Sequence, residues 1–186
     1  MEATRPLAIF LPLCHTGGMN KDTPSASAST HTWPDLAGRI IDDAAGRRHV
    51  LPVRVYFEDT DFAQVVYHAS YVRWCERGRS DFLRLLGTDA RRLIDGSDGV
   101  EPAAFVVRRM NMDFNRPGRI DDLLEVETQV KELGGASVTL DQAVLRDGVK
   151  LFQAEVVLVL VAVSGKPIRL SDAIRASFGA VGLATI

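Results

Sequence analysis

Hydrophobic and polar positions change period twice along the chain. From Val50 to Phe57 they alternate, the two-residue repeat of a half-buried strand. Between Ser70 and Leu86 the apolar residues fall at Tyr71, Cys75, Gly78, Phe82 and Leu85, spaced four, three, four and three, which predicts one buried helical face. Ser70 reads as the N-cap and Gly87 as the stop, while Arg73, Arg77, Asp81 and Arg84 fall away from the apolar face. A mid-helix glycine costs about 1 kcal/mol relative to Ala, so Gly78 predicts a helix pressed closely onto a sheet. After Gly99 the period returns to two, giving strands at Phe105–Phe114, Leu123–Glu132, Ala136–Arg146 and Leu151–Val163. Asn115-Arg116-Pro117-Gly118, Gly134-Gly135, Asp147-Gly148 and Ser164-Gly165-Lys166-Pro167 separate them. Leu151–Val163 is the most apolar and is predicted to be central. Trp33–Arg48 is a polar lead-in whose turn signals predict an added hairpin, and Ser171–Phe178 a short closing helix. The order is α+β: an antiparallel sheet wrapped around one long helix. One helix cannot cover both faces of such a sheet, so oligomerisation is expected.

Composition narrows the class. The chain has 186 residues, which suits one domain over residues 34–180 behind a tail at 1–33 that carries the low-complexity Ser25–Thr30 tract. A formal net charge of −2 gives no polyanion-binding surface, so nucleic acid is not an expected partner. Two cysteines, Cys14 and Cys75, make neither a disulfide framework nor a zinc motif, and four scattered histidines have no metal-ligand spacing. The apolar run Leu7–Leu13 is too short to span a bilayer, contains a proline and lacks a small-residue cleavage site, so no stable membrane insertion is expected and the location is expected to be cytoplasmic. A start at Met19 would leave the first eighteen residues outside the protein.

The chemistry concentrates where the period changes. Glu58, Asp59 and Asp61 follow the first strand, and His68 and Ser70 open the helix. A helix N-terminus supplies N–H donors and partial positive charge to an oxyanion. A carboxylate in front of it can activate water or attack directly. That pairing suits acyl transfer to water without a metal.

Three blocks carry a resemblance: Arg54–Asp61 (Arg-Val-Tyr-Phe-Glu-Asp-Thr-Asp), Val65–Tyr71 (Val-Val-Tyr-His-Ala-Ser-Tyr) and Glu76–Ser80 (Glu-Arg-Gly-Arg-Ser). They resemble the hotdog-fold acyl-CoA thioesterases, and within them the Tol–Pal-associated, YbgC-like branch close to the 4-hydroxybenzoyl-CoA thioesterases. Phe105–Arg109, Pro117–Asp122 and Gly165–Arg169 support the likeness, which spans about Val50–Ala176. The resemblance implies dimers joined sheet edge to sheet edge, often paired into homotetramers, with an acyl tunnel at the interface. It implies Asp61 as catalytic carboxylate and His68 as the residue whose backbone N–H polarises the thioester carbonyl. Tyr67 and Tyr71 are carried over as substrate-binding neighbours. Gln64 stands where many relatives have Gly; a positive φ there would strain it, and its side chain is expected near the acyl group. Coenzyme A enters as part of the substrate rather than as a cofactor. Acyl carrier protein and a link to the cell envelope are implied by the branch alone.

Competing readings attach to the same residues. Asp59 reads better as a structural hydrogen-bonding group than as a catalyst, Thr60 as a turn group, and Glu76 as a helix salt-bridge partner. Arg108, Arg109, Lys166 and Arg169 are candidates for the phosphates of coenzyme A. Asp59-Thr60-Asp61 imitates the motif of aspartyl-phosphate phosphatases, but these need alternating strands and helices where this chain has strand after strand. Gly78-Arg79-Ser80 lacks the second glycine of a nucleophile elbow. A non-catalytic acyl-thioester binding or envelope scaffold module is the alternative to an enzyme.

Overall fold

The two-residue repeats become six strands and the long amphipathic repeat a single helix laid across them. A computed structural model describes residues 38–44, 46–87, 90–96 and 101–180; the expected tail at 1–33 lies outside these. The strands are β1 (Arg39–Asp43), β2 (Gly46–Arg54), β3 (Ala103–Phe114), β4 (Leu123–Leu133), β5 (Ser137–Arg146) and β6 (Val149–Ala162). The helices are α1 (His68–Leu85), α2 (Ala90–Asp95) and α3 (Asp172–Gly179). The sheet order is β1-β2-β4-β5-β6-β3, and every neighbouring pair is antiparallel.

Several boundaries differ from the sequence reading for local reasons. The first core strand stops at Arg54, because Phe57–Asp59 turns as a short 3-10 segment in which the Asp59 carboxylate accepts the Tyr56 N–H at 3.0 Å. The expected hairpin before the core exists as β1–β2. Strand β6 is interior but next to the edge; β4 and β5 hold the centre. The closing helix starts one residue late, capped by Ser171 Oγ accepting the Ile174 N–H. The short α2 had no apolar period to announce it.

Helix α1 buries Tyr71, Trp74, Cys75, Gly78 and Phe82 against the sheet. Facing them are Leu124, Val126, Thr128 and Val130 of β4 and Val138, Leu140, Gln142 and Val144 of β5. At Gly78 an added Cβ would lie 3.1 Å from Val126 Cγ1 and 3.3 Å from Thr128 Oγ1, so helix and sheet approach as closely as the sequence expected. The contact also holds polar groups. Gln142 Nε2 donates to the Cys75 carbonyl and to Thr128 Oγ1, both at 2.9 Å, and its Oε1 accepts from Arg79 Nη1 at 2.7 Å. Burial depresses the Arg79 pKa and pushes the Cys75 thiol up to about 12, so this cysteine is no nucleophile at neutral pH.

The helix C-terminal half is tied to the hairpin by one buried contact. His49 of β2 is fully buried and its Nε2 lies 2.8 Å from Asp81 Oδ2; its Nδ1 has no partner among the described residues. Asp81 therefore turns inward rather than away, also accepting the Gly38 N–H at 2.7 Å and the Arg84 guanidinium at 2.9 Å. Burial lowers the His49 pKa below the ordinary 6.5, against the upward pull of Asp81. Burial pushes the Asp81 carboxyl up, but the bonds from Arg84, His49 and Gly38 outweigh it and hold it below its usual range.

The loop into α1 is a tight turn. Gln64 N–H donates to the Asp61 carbonyl at 2.9 Å, Asp61 N–H to the Val65 carbonyl at 3.0 Å, and Thr60 bridges Val66. This places Gln64 at φ 60°, in the left-handed region where a side chain is strained.

Two outcomes follow. Gln64→Gly removes the Cβ strain against a larger loss of chain entropy and raises stability by about 0.5–1 kcal/mol, read as a higher urea midpoint at unchanged m. For His49, the unfolded chain takes up a proton near 6.5 while the folded chain resists it. Stability is therefore full above that pH and falls as pH drops through it, by up to about 1.4 kcal/mol per pH unit. In His49→Gln the stability curve is flatter between about pH 7 and 5, checked by denaturant titration at each pH.

Candidate active site

The helix start and the carboxylate loop are locked together through one carbonyl. The Asp59 C=O accepts the Tyr67 N–H at 2.8 Å and the Ser70 hydroxyl at 3.2 Å. Ser70 is thus not the N-cap: α1 begins two residues earlier, with Tyr67 in the cap position, and Ser70 is buried within the first turn. Arg73 Nη2 donates to Ser70 Oγ at 2.9 Å and lies 3.5 Å from Asp59 Oδ1. With one carboxylate oxygen on the Tyr56 N–H and the residue 6% exposed, Asp59 is a structural group.

Asp61 differs. Its Oδ1 accepts the Ala63 N–H at 2.8 Å, which fixes the side chain across its own turn. The other oxygen has no protein donor among the described residues, and Asp61 lines a cleft of about 350 Å³ together with His68. The N–H groups of His68 and Ala69 open the helix and have no acceptor among the described residues, the normal state of a first turn. Asp61, with one carboxylate oxygen unbonded among the described residues, and His68, the first residue of the helix, therefore line one cavity. That set can hold a developing oxyanion at the helix end while the carboxylate receives a proton or attacks.

The remaining walls come from Val66 and Tyr71 and from the end of β3 with its following turn, Phe114–Pro117. Tyr71 is 3% exposed, stacks on Phe152 with centroids 5.4 Å apart, and its Oη accepts the Gly118 N–H at 2.8 Å. The Gly118 carbonyl also accepts the Val66 N–H at 2.9 Å. A Cβ at Gly118 would lie 3.0 Å from Val66 Cγ2 and 3.2 Å from Tyr71 Oη, so any side chain here would press on both walls of this clamp. Burial raises the Tyr71 pKa above 10, so the phenol stays protonated.

Of the residues singled out from sequence, Asp61, His68 and Tyr71 meet in this cleft; Gln64 and Tyr67 are not among its lining residues. Gln64 is exposed on the turn, and the Tyr67 ring, half exposed, lies 4.3 Å centroid to centroid from the His68 ring. Glu76 accepts from the Ser80 hydroxyl at 2.9 Å, and no cation pairs with it among the described residues. Arg108, Lys166 and Arg169 are exposed away from the cleft, and Arg109 lies 3.6 Å from Glu155. The wall Phe114–Pro117 was read from sequence only as a turn. Its sign was that the turn directly follows the strand whose end antiparallel pairing carries toward the helix. Among the described residues no group of three or more His, Cys, Asp or Glu could hold a metal ion, and no helix is long and apolar enough to cross a membrane.

Known proteins share this architecture. The thioesterase superfamily pattern matches residues 63–152. The acyl-CoA thioester hydrolase YbgC of Escherichia coli O6:H1 is 40% identical over 129 residues, 68% of this chain and 92% of that protein. A probable thioesterase from Bartonella henselae is 44% identical with a TM-score of 0.64, covering 67% of this chain and 99% of its own. A thioesterase from Thermus thermophilus, solved with coenzyme A and Zn, is 27% identical with a TM-score of 0.61, covering 71% and 92%. With a six-stranded antiparallel sheet packed on one long helix and relatives of this identity over nearly their whole length, the chain belongs to the hotdog-fold thioesterase superfamily, beside the YbgC acyl-CoA thioesterases.

Proposed function

We propose that this protein hydrolyses acyl-CoA thioesters to the free acid and coenzyme A. The observation that supports the reading is the shared cleft, which both Asp61 and the helix-opening residue His68 line. The thioester carbonyl oxygen accepts from the His68 N–H, and the helix end favours the negative charge that develops there. A backbone donor of this kind contributes about 2.7–4 kcal/mol to the transition state. The helix end adds about 0.3–1 kcal/mol. As a base, Asp61 takes a proton from the water that attacks the carbonyl carbon. The tetrahedral intermediate then collapses, the C–S bond breaks, and the thiolate leaves with that proton. As a nucleophile, Asp61 expels the thiolate first, forming a mixed anhydride that water opens.

Val66, Tyr71 and Phe114 supply an apolar wall for the acyl group. Coenzyme A is part of the substrate, and no resident cofactor enters either route; acyl carrier protein is a second carrier that the same chemistry would accept. The protein acts in the cytoplasm as a dimer or a tetramer. Supporting this, β3 pairs only with β6 along its twelve residues and exposes Val106, Val107 and Met112, an edge that a second sheet would cover. The resemblance to the Tol–Pal-associated branch supports a role near envelope lipid metabolism.

Thiol release from acyl-CoAs of short, medium and long chain and one aromatic acyl-CoA tests the reading. Asp61→Asn keeps an oxygen for the Ala63 N–H, so the turn survives. Its turnover falls by about 10²–10⁴-fold with the melting temperature retained. Acyl-CoA binding without turnover by the unaltered protein would instead identify a non-catalytic binding module. Equal turnover in both proteins would move the catalytic group elsewhere.

A further inference from the structure

The cleft holds one arginine or lysine, Arg116, and the structure gives it no task. Its main chain is fixed: the Asn115 and Arg116 N–H groups both donate to the Leu151 carbonyl, at 2.8 and 3.1 Å, and Pro117 follows. Its guanidinium belongs to none of the ion pairs among the described residues. Two of the acids near it in sequence are engaged elsewhere. Asp113 accepts from Gln153 at 3.1 Å, and Asp122 accepts from Arg146 at 2.7 Å and from the Arg119 N–H at 2.8 Å. Arg73, on the helix near the loop, is held by Ser70 and Asp59. Arg116, exposed and without an ion-pair partner among the described residues, thus lines the same cleft as Asp61.

Two anions on an acyl thioester could meet it: a phosphate of the carrier or a carboxylate on the acyl group. In coenzyme A a long flexible arm separates the sulfur from the nearest phosphate, whereas Arg116 lines the same 350 Å³ cavity as the groups that address the carbonyl. The acyl side is therefore the one within its compass. A carboxylated acyl group would bring a second negative charge into a cavity already holding Asp61, and only a cation on the wall makes that favourable. Val66, Tyr71 and Phe114 give the same cleft an apolar lining that suits a short methylene chain.

Building on the thioester-hydrolase reading, we propose that Arg116 is a specificity residue that binds a terminal carboxylate on the acyl group, so that preferred substrates are thioesters of short dicarboxylic acids. The probe pair is glutaryl-CoA and valeryl-CoA, equal in chain length and different in the terminal charge. The full chain favours glutaryl-CoA in kcat/KM by about tenfold or more, Arg116→Gln abolishes that ratio chiefly through KM, and Arg116→Glu reverses it. The guanidinium holds no ion pair that folding uses, and unchanged melting temperatures check this. A ratio that is the same in the unaltered protein and Arg116→Gln overturns the proposal, as does a preference of the unaltered protein for valeryl-CoA. An equal loss on both CoA esters that disappears with the phosphate-free N-acetylcysteamine thioesters also overturns it, assigning Arg116 to the carrier phosphate. If no thioester is hydrolysed, the hydrolase reading fails by itself. Calorimetric binding of glutaryl-CoA and valeryl-CoA to the unaltered and Arg116→Gln proteins then decides the Arg116 question alone: selective weakening of glutaryl-CoA supports it, and equal affinities overturn it.

Discussion

Everything at the site depends on where the first turn of α1 points, and one carbonyl sets it. By accepting both the Tyr67 N–H and the Ser70 hydroxyl, the Asp59 C=O fastens the helix start to the strand end from which the Asp61 loop departs. Tyr67 N–H is one of the donors a helix start leaves open, and Asp59 takes it; those of His68 and Ala69 have no acceptor among the described residues. The strain at Gln64 belongs to the same constraint. A turn that hydrogen-bonds Asp61 to both Gln64 and Val65 needs a left-handed residue before the chain can rejoin Val66 and enter the helix.

How much of this the sequence discloses depends on whether burial or tertiary pairing made the decision. Most of the α1 face, the alternating β4 and β5, and the glycine pressed against Val126 are written in periodicity, because burial of one face imposes the period, although Leu85 at the helix end is exposed and Trp74 is buried outside the predicted positions. The nearness of Asp61 to the helix start is legible because the two are adjacent in the chain. The Phe114–Pro117 wall is not, since it arrives through pairing of β3 with β6, far along the sequence. Ser70 misled for a related reason: serine is among the preferred caps, yet Asp59 offered its hydroxyl a buried acceptor and the helix began two residues earlier. Asp81 looked like a surface residue by helical phase, and only the position of His49 on a neighbouring strand draws it inward.

The helix–sheet contact is not purely apolar, and this bears on specificity of packing. Arg79, Gln142, Thr128 and the Cys75 carbonyl form a connected polar set beneath the helix, in a place where close approach at Gly78 leaves little room for water. Such a set contributes little net stability when satisfied and costs much when one member is lost. Its effect is to define the rotation and register of α1 on β4 and β5. An apolar interface alone would tolerate small slides of the helix, and a slide would carry the His68 N–H away from Asp61.

The opposite face of the sheet answers a different demand. Lys131 pairs with Glu155 at 2.7 Å and Asp141 at 3.6 Å, and Arg48 with Glu127 at 2.7 Å and with Asp43. These charges satisfy one another across β2, β4, β5 and β6, so this face can stand in water or meet another polar surface without an orphaned ion. Exposed pairs of this kind contribute about 0–1 kcal/mol each, so their role is compatibility with solvent more than stability. Among the exposed apolar residues are Val106, Val107 and Met112 of β3, whose last residue, Phe114, is also a wall of the cleft. Whatever covers that edge must therefore also border the cleft, which makes the covering of β3 and the shape of the cleft a single structural question.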